Sequence, residues 1–194
     1  LAKAGPMLYN NNSCAPPPWA KRYAFILIHF PFDCKEFHTK MPEKMRFSAV
    51  ICELNPLHLG HLSLLSAARS SSAGVVCILS GNFVQRGEPA ILDKWARARL
   101  ALQAGADLVV GLPLPWACAG AERFAQGGVA LAGALPQVGT LVFGSETPDS
   151  RRLLAAAEAL LSPGFADALR RLPEDGAPFA RRRQQALASL LGPG

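Results

Sequence analysis

Two histidines and a glycine stand close together in residues 55–61, which read NPLHLGH. His58 and His61, three positions apart at the start of a helix, would present both imidazole rings on one face. Gly60 between them lets a ligand approach the backbone closely. The segment offers hydrogen-bond donors and no nucleophile. It therefore suits attack by an external nucleophile on an α-phosphate, with pyrophosphate leaving and catalysis by positioning and electrostatics. The alternative is that both histidines are ordinary polar residues.

The elements that would position these residues are a strand and a helix. The apolar run 47–52 predicts a buried strand directly before the motif. Pro56 suits the first turn of the following helix, because proline needs no backbone donor there. The free amides and the positive end of the helix dipole favour an anion at this point.

A second polar segment, Ser80 to Ala90, follows another apolar run at 75–79. It predicts a loop at the carboxyl end of a strand, which is the edge where ligands bind in open α/β sheets. A helix should follow, with Asp93 as its N-cap and Gly105 just beyond its end.

Four basic residues lie in and after this loop: Arg86, Lys94, Arg97 and Arg99. The simplest interpretation of the last three is a solvated helix face.

The wider pattern alternates strands and helices, which predicts parallel crossovers. The fold class is α/β, with a Rossmann-like, doubly wound parallel sheet and a helical carboxyl-terminal tail. Strands are predicted near 47–52, 75–79, 107–110 and 140–143, and helices near 56–70, 93–104, 116–134 and 150–161.

Composition favours a packed cytoplasmic domain. Half of the residues are hydrophobic, yet no run reaches the roughly 18 apolar residues that a membrane span needs. The five cysteines form no CxxC pair, so they are interpreted as reduced thiols and not as a zinc site or disulfide framework. No protein-held metal is predicted, and His29 and His38 receive no role.

Four segments resemble, in order and spacing, the bacterial tRNA(Met) cytidine acetate ligases, which are relatives of the HIGH-type nucleotidyltransferases. They are NPLHLGH, SGNFVQRGEPAILDKWARARLAL, GADLVVGLP and LVFGSE, within residues 45–161. The resemblance implies a HIGH-type fold. It also implies an enzyme that uses ATP, with Mg²⁺ expected, to activate acetate as acetyl-adenylate. The acetyl group would then pass to the wobble cytidine of elongator tRNA(Met).

The resemblance also implies site residues. His58 and His61 become the adenylation residues. ATP binding falls on Ile51, Cys52, Glu53, Leu54, Asn55, Pro56, Leu57, His58, Leu59, Gly60, His61, Leu62, Ser63, Leu64 and Gly144.

The chain departs from the family pattern at Leu57, Leu59 and Gly111, and none of these changes removes a histidine. The family's later motifs are a paired asparagine, an ATP-contacting arginine and a Ser/Thr-rich signature, and none is found before Gly194. We therefore expect the amino-terminal half of the family protein, as a fragment or a truncated product. Residues 1–44 are expected to be an irregular extension or upstream sequence, 45–161 the ATP-binding domain and 162–194 a truncated helical tail.

Partners follow from the same resemblance: ATP, acetate and tRNA, with no membrane and no DNA. The arginine clusters at 151–152, 170–171 and 181–183 are either RNA contacts or solvated helix faces. Two other functions stay open. One is a different HxGH nucleotidyltransferase acting on a small phosphorylated substrate, and the other is a non-catalytic ATP-binding remnant.

Overall fold

The computed structural model describes residues 7–8, 24–29, 45–146, 149–173 and 176–192. The chain forms two compact units, Leu1–Glu146 and Thr147–Gly194. The predicted amino-terminal extension lies largely outside the described residues, and the boundaries proposed at residues 44 and 161 stay predictions.

The first unit contains a six-stranded sheet. In spatial order its strands are β1, β2, β6, β3, β4 and β5. The four strands from β6 to β5 run parallel, whereas β1 and β2 pair antiparallel at the β6 side. The parallel strands confirm the predicted α/β class, and sequence patterns did not predict β1 and β2. The bounds are β1 Met7–Leu8, β2 Ala24–His29, β3 Phe47–Cys52, β4 Gly74–Leu79, β5 Leu108–Gly111 and β6 Val138–Ser145.

Helices cover both faces of the parallel strands, as a doubly wound sheet requires. Alternate residues of β3 enter two different cores: Val50 packs with α1 and α2 residues, and Ala49 packs with α3 and α4 residues. The chain moves outward from β3 to β5 and then returns to place β6 on the other side of β3. This reversal creates a switch point between β3 and β6, where α/β sheets bind ligands at their carboxyl edge.

The helices follow the predicted layout with two differences. The predicted helix at 116–134 divides in two, because Cys118 ends the first helix and the extended backbone of Gly120 begins the second. The predicted helix at 56–70 begins later, at Leu59. In the first unit the bounds are α1 Leu59–Ser70, α2 Lys94–Gln103, α3 Leu114–Ala117 and α4 Ala121–Gly133.

The second unit is helical, which confirms the predicted tail. It comprises α5 Ser150–Leu161, α6 Pro163–Arg171 and α7 Phe179–Leu191. Asp149 caps α5 through Oδ1, which accepts hydrogen bonds from the Arg151 and Arg152 amides. Among the residues that the structure describes, no helix has the length and apolar character needed to cross a bilayer.

Candidate active site

His58 and His61 close the amino terminus of α1 as a capping box. Nδ1 of His58 accepts a hydrogen bond from the Gly60 amide at 3.1 Å, and Nδ1 of His61 accepts one from the His58 amide at 3.3 Å. The prediction that Pro56 lies in the first helical turn is wrong, because His58 is the N-cap and the helix begins at Leu59. A Cβ on Gly60 would lie 3.0 Å from Cε1 of His58, so glycine makes room for the capping ring.

These hydrogen bonds decide which nitrogen of each ring carries the proton. A backbone amide can only donate, so both Nδ1 atoms must be unprotonated acceptors. Each neutral imidazole therefore carries its hydrogen on Nε2. The two rings stack with centroids 3.7 Å apart. The result is two neighbouring Nε2–H donors that take no part in the helix cap, which uses the Nδ1 atoms.

The protonation of His61 also follows from its surroundings. Burial, and secondarily the proximity of His58, lowers the pKa of His61 from 6.5 to about 4. His61 is consequently neutral near pH 7. A neutral donor stabilises developing negative charge without entering the site as a cation.

The loop after β4 forms the second wall of the site. Its tip is a single 3-10 turn, Gln85–Gly87. Oε1 of Glu53 accepts a hydrogen bond from the Gln85 amide at 2.6 Å. Oδ1 of Asn55 accepts one from the Ile91 amide at 2.7 Å. Residues immediately after β3 thus hold this loop in two places.

Arg97, on the helix α2 that follows this loop, also holds the loop in place. Its side chain is 0% exposed. Nε donates to the Leu92 carbonyl at 3.0 Å, Nη1 to Oγ of Ser80 at 3.2 Å and Nη2 to the Ser80 carbonyl at 3.2 Å. The carbonyls of Glu53 and Gly81 also accept from the guanidinium. The interpretation of Arg97 as part of a solvated face is wrong, because five oxygen acceptors replace water around the buried group.

A cavity of ≈ 370 Å³ is lined by both loops. Its size is in the range of small-molecule sites. Six of the proposed ATP-binding residues line it: Glu53, Leu54, Asn55, Pro56, His58 and His61. The loop after β4 adds Val84, Gln85, Arg86 and Glu88, which sequence reasoning did not assign. The sequence feature that could have identified them is their position directly after β4, at the carboxyl edge of the sheet.

The remaining proposed ATP-binding residues lie elsewhere. Two of them, Ile51 and Cys52, belong to β3 and pack in the two cores, and Leu57 and Leu64 pack against one of those cores. Leu59 and Leu62 are exposed, and Gly60 and Ser63 are half-buried. Gly144 is an exposed residue near the carboxyl end of β6, outside the cavity lining. Their roles in binding ATP stay predictions.

The residues present do not build a dedicated metal cage. Within the described part of the chain, no group of three or more His, Cys, Asp or Glu side chains is placed to hold a metal ion. The carboxylates of Glu53 and Glu88 do line the cavity. Magnesium characteristically binds proteins through one or two carboxylates together with substrate phosphates, and these two residues fit that role.

Comparison with known proteins shows which family this sequence and fold resemble. The sequence model described as HIGH Nucleotidyl Transferase matches residues 45–192. A tRNA(Met) cytidine acetate ligase of Caldanaerobacter subterraneus is 45% identical over 152 residues, which are 76% of this chain and 38% of that protein. The ligase of the same name from Clostridium perfringens is 42% identical over 151 residues, again 76% of this chain and 38% of the relative. The chain thus spans well under half of their length.

Solved structures give the same result. The crystal structure of Thermotoga maritima TmcAL bound with alpha-thio ATP has a TM-score of 0.70 and 38% sequence identity, covering 76% of this chain and 37% of that one. The apo form of the same protein matches with the same TM-score and identity. These findings confirm the resemblance drawn from the four sequence segments, and with a family model matched across most of its length, the chain belongs to the HIGH nucleotidyltransferase family.

Proposed function

We propose that this chain is the ATP-using part of a tRNA(Met) cytidine acetate ligase. In this proposal it activates acetate as acetyl-adenylate for transfer to the wobble cytidine of elongator tRNA(Met), which forms N4-acetylcytidine. The observation that carries the proposal is the pair of Nε2–H donors beside a cavity at the carboxyl edge of a doubly wound sheet. The substrate class comes from the similar proteins, which are tRNA(Met) cytidine acetate ligases.

The first step would be adenylation. A carboxylate oxygen of acetate attacks the α-phosphorus of ATP, the bond to the β-phosphate oxygen breaks, and pyrophosphate leaves. Negative charge builds up on the α-phosphate oxygens in the transition state. Nε2–H groups of His58 and His61 would donate to those oxygens, and each such bond to a charged group is worth about 1.5–3 kcal/mol. Mg²⁺ bound with the phosphates would supply further charge neutralisation.

The second step would be acyl transfer. The exocyclic amine of the cytidine attacks the acetyl carbonyl, AMP leaves, and the amine loses a proton. Exposed arginines of the helical unit would contact the tRNA backbone. They are Arg171, Arg181 and Arg183, together with Arg151, Arg152 and Arg170, which also form surface ion pairs with Asp149 and Asp167. We place the reaction in the cytoplasm, since ATP and tRNA meet there.

The test is ATP/pyrophosphate exchange with and without acetate. Three proteins are compared: the unchanged chain, His58→Asn and His61→Gln. Asparagine is a good N-cap, and glutamine at the third helical position keeps the acceptor of a capping box. Both variants therefore preserve the helix start and remove an imidazole donor. We expect acetate-stimulated exchange in the unchanged chain and at least a tenfold loss in each variant.

The other outcomes identify the competing functions. Exchange that depends on a small phosphorylated acceptor, and not on acetate, would indicate a different nucleotidyltransferase. ATP binding without exchange would indicate a nucleotide-binding unit that does not catalyse adenylation alone. Equal exchange in the unchanged chain and both variants would remove the histidines from the mechanism.

A further inference from the structure

Arg86 occupies an unusual backbone position at the tip of the loop after β4. Its φ is 71° and its ψ is 7°, in the left-handed region that residues other than glycine rarely adopt. The following residue, Gly87, has a φ of 84°. The Gly87 amide donates to the Val84 carbonyl at 2.9 Å, and the Val84 amide donates to the Glu88 carbonyl at 2.9 Å. The loop therefore enforces a conformation that arginine itself disfavours.

The side chain of Arg86 lines the cavity and has no partner within the described part of the chain. Arg86 is exposed and lines the cavity together with His58 and His61. Among the described residues, no hydrogen bond or ion pair involves its guanidinium. Arg86 brings a positive charge to the cavity lining, whereas Glu53 and Glu88 in the same lining bring negative charges.

We propose that Arg86 forms an anion subsite in this cavity, additional to the histidine donors. A planar guanidinium binds a carboxylate or a phosphate through two parallel hydrogen bonds, which suits either anion of the proposed reaction. The two sources are the terminal phosphates of ATP and the carboxylate of acetate. The identity of these sources rests on the proposed function, whereas the anion subsite itself rests on the unpaired cation and the strained turn that carries it.

The decisive variant is Arg86→Gly. Glycine adopts positive φ without penalty, so this change removes the guanidinium and relieves the backbone at the same position. We expect an unchanged or higher melting temperature together with anion binding weakened about tenfold or more. Arg86→Lys keeps the charge and loses the planar fork, so its binding should fall between the two. Arg99→Ala, which removes an exposed cation of α2 outside the cavity lining, is the matched control.

The probes are inorganic pyrophosphate and acetate, each titrated against protein labelled with ¹⁵N-arginine. The Nε–H resonance of Arg86 is assigned by its absence in Arg86→Gly. A shift with pyrophosphate indicates the phosphate source, and a shift with acetate alone indicates the carboxylate source. A resonance that moves with neither probe, or equal binding by the unchanged chain and Arg86→Gly, overturns the subsite.

The arginine titration combined with the ATP/pyrophosphate exchange assay separates this inference from the proposed function, on which only the identity of the anion rests. If acetate-dependent exchange is absent while pyrophosphate still shifts the Arg86 resonance, the ligase proposal fails and the anion subsite stands. If exchange is present and depends on His58, but Arg86→Gly changes neither the KM for ATP nor the KM for acetate, the subsite fails and the ligase proposal stands.

Discussion

The two loops that build the cavity are held in place by different means. The β3–α1 turn positions His58 and His61 through hydrogen bonds between residues no more than three apart in sequence. The β4–α2 loop is positioned by side chains from distant parts of the chain. Glu53 is 32 residues from Gln85, Asn55 is 36 residues from Ile91, and Arg97 is 16 residues from Gly81. One wall is a local motif, and the other depends on the tertiary fold.

This difference explains how each wall responds to change. A local cap contributes about 1 kcal/mol, and substitution by another capping residue preserves it. A buried guanidinium that satisfies several carbonyls cannot be replaced by a side chain of another shape, because each carbonyl then loses its partner. The histidine donors can therefore be removed without unfolding the protein. Substitutions that disturb the second wall should also lower the stability of the fold.

The largest expected effect is on Arg97. Arg97→Met leaves the carbonyls of Leu92, Glu53, Ser80 and Gly81 without this donor. We expect a loss of about 3 kcal/mol in the free energy of unfolding, measured by urea denaturation. The free energy of unfolding of Arg97→Lys should lie between those of the unchanged chain and Arg97→Met, because lysine retains the charge without the planar guanidinium.

Arg99→Met is the matched control for that experiment, because Arg99 lies on the same helix and is exposed. Its free energy of unfolding should change by less than about 0.5 kcal/mol. If Arg97→Met is as stable as the control, the second wall does not depend on the buried guanidinium.

A smaller effect is expected at the first wall. His58→Ala removes the N-cap of α1 and should cost about 1 kcal/mol of unfolding free energy. His58→Asn should retain most of that stability, because asparagine accepts the same backbone hydrogen bond. Equal destabilisation by both variants in thermal or urea unfolding would show that His58 supports the fold by more than its cap.

A separate effect concerns pH and His61, and it vanishes near pH 7. The folded pKa of about 4 lies below the ordinary value of 6.5. As pH falls from about 6.5 to 4, the unfolded chain binds a proton that the folded protein does not, so the free energy of unfolding declines in this window. Above pH 6.5 the residue contributes no pH dependence. His61→Gln should therefore show a shallower decline in urea unfolding across this range, and an identical pH profile would contradict the lowered pKa.

The parallel part of the fold was predictable because its signals are local. Buried runs such as 75–79 mark parallel strands, and their alternation with amphipathic segments implies crossovers. The antiparallel strands β1 and β2 were not predicted, because residues 1–44 were interpreted as an irregular extension although β2 lies in an apolar run. The start of α1 was misplaced because Pro56 was interpreted as the first helical turn. Proline is common at the first helical position, but His58 takes the cap role two residues later.

The candidate site also contains features that the sequence predicted and one that it did not. The histidine motif and the loop after β4 were both recognised at the carboxyl edge, because each follows an apolar strand. The role of Arg97 was missed, since residue type alone predicts an exposed arginine. Lys94 and Arg99 on the same helix are indeed exposed. Only the three-dimensional convergence of carbonyls from three segments distinguishes Arg97 from its neighbours.

The most direct test of the account is an NMR observation of the two imidazoles. In ¹⁵N-histidine-labelled protein near pH 7, with resonances assigned through His58→Asn and His61→Gln, both rings should carry hydrogen on Nε2 and none on Nδ1. Addition of ATP with Mg²⁺ should shift both Nε2–H resonances, because these donors meet the phosphate. A proton on Nδ1 of either ring, or resonances that ATP leaves unchanged, would contradict the proposed site.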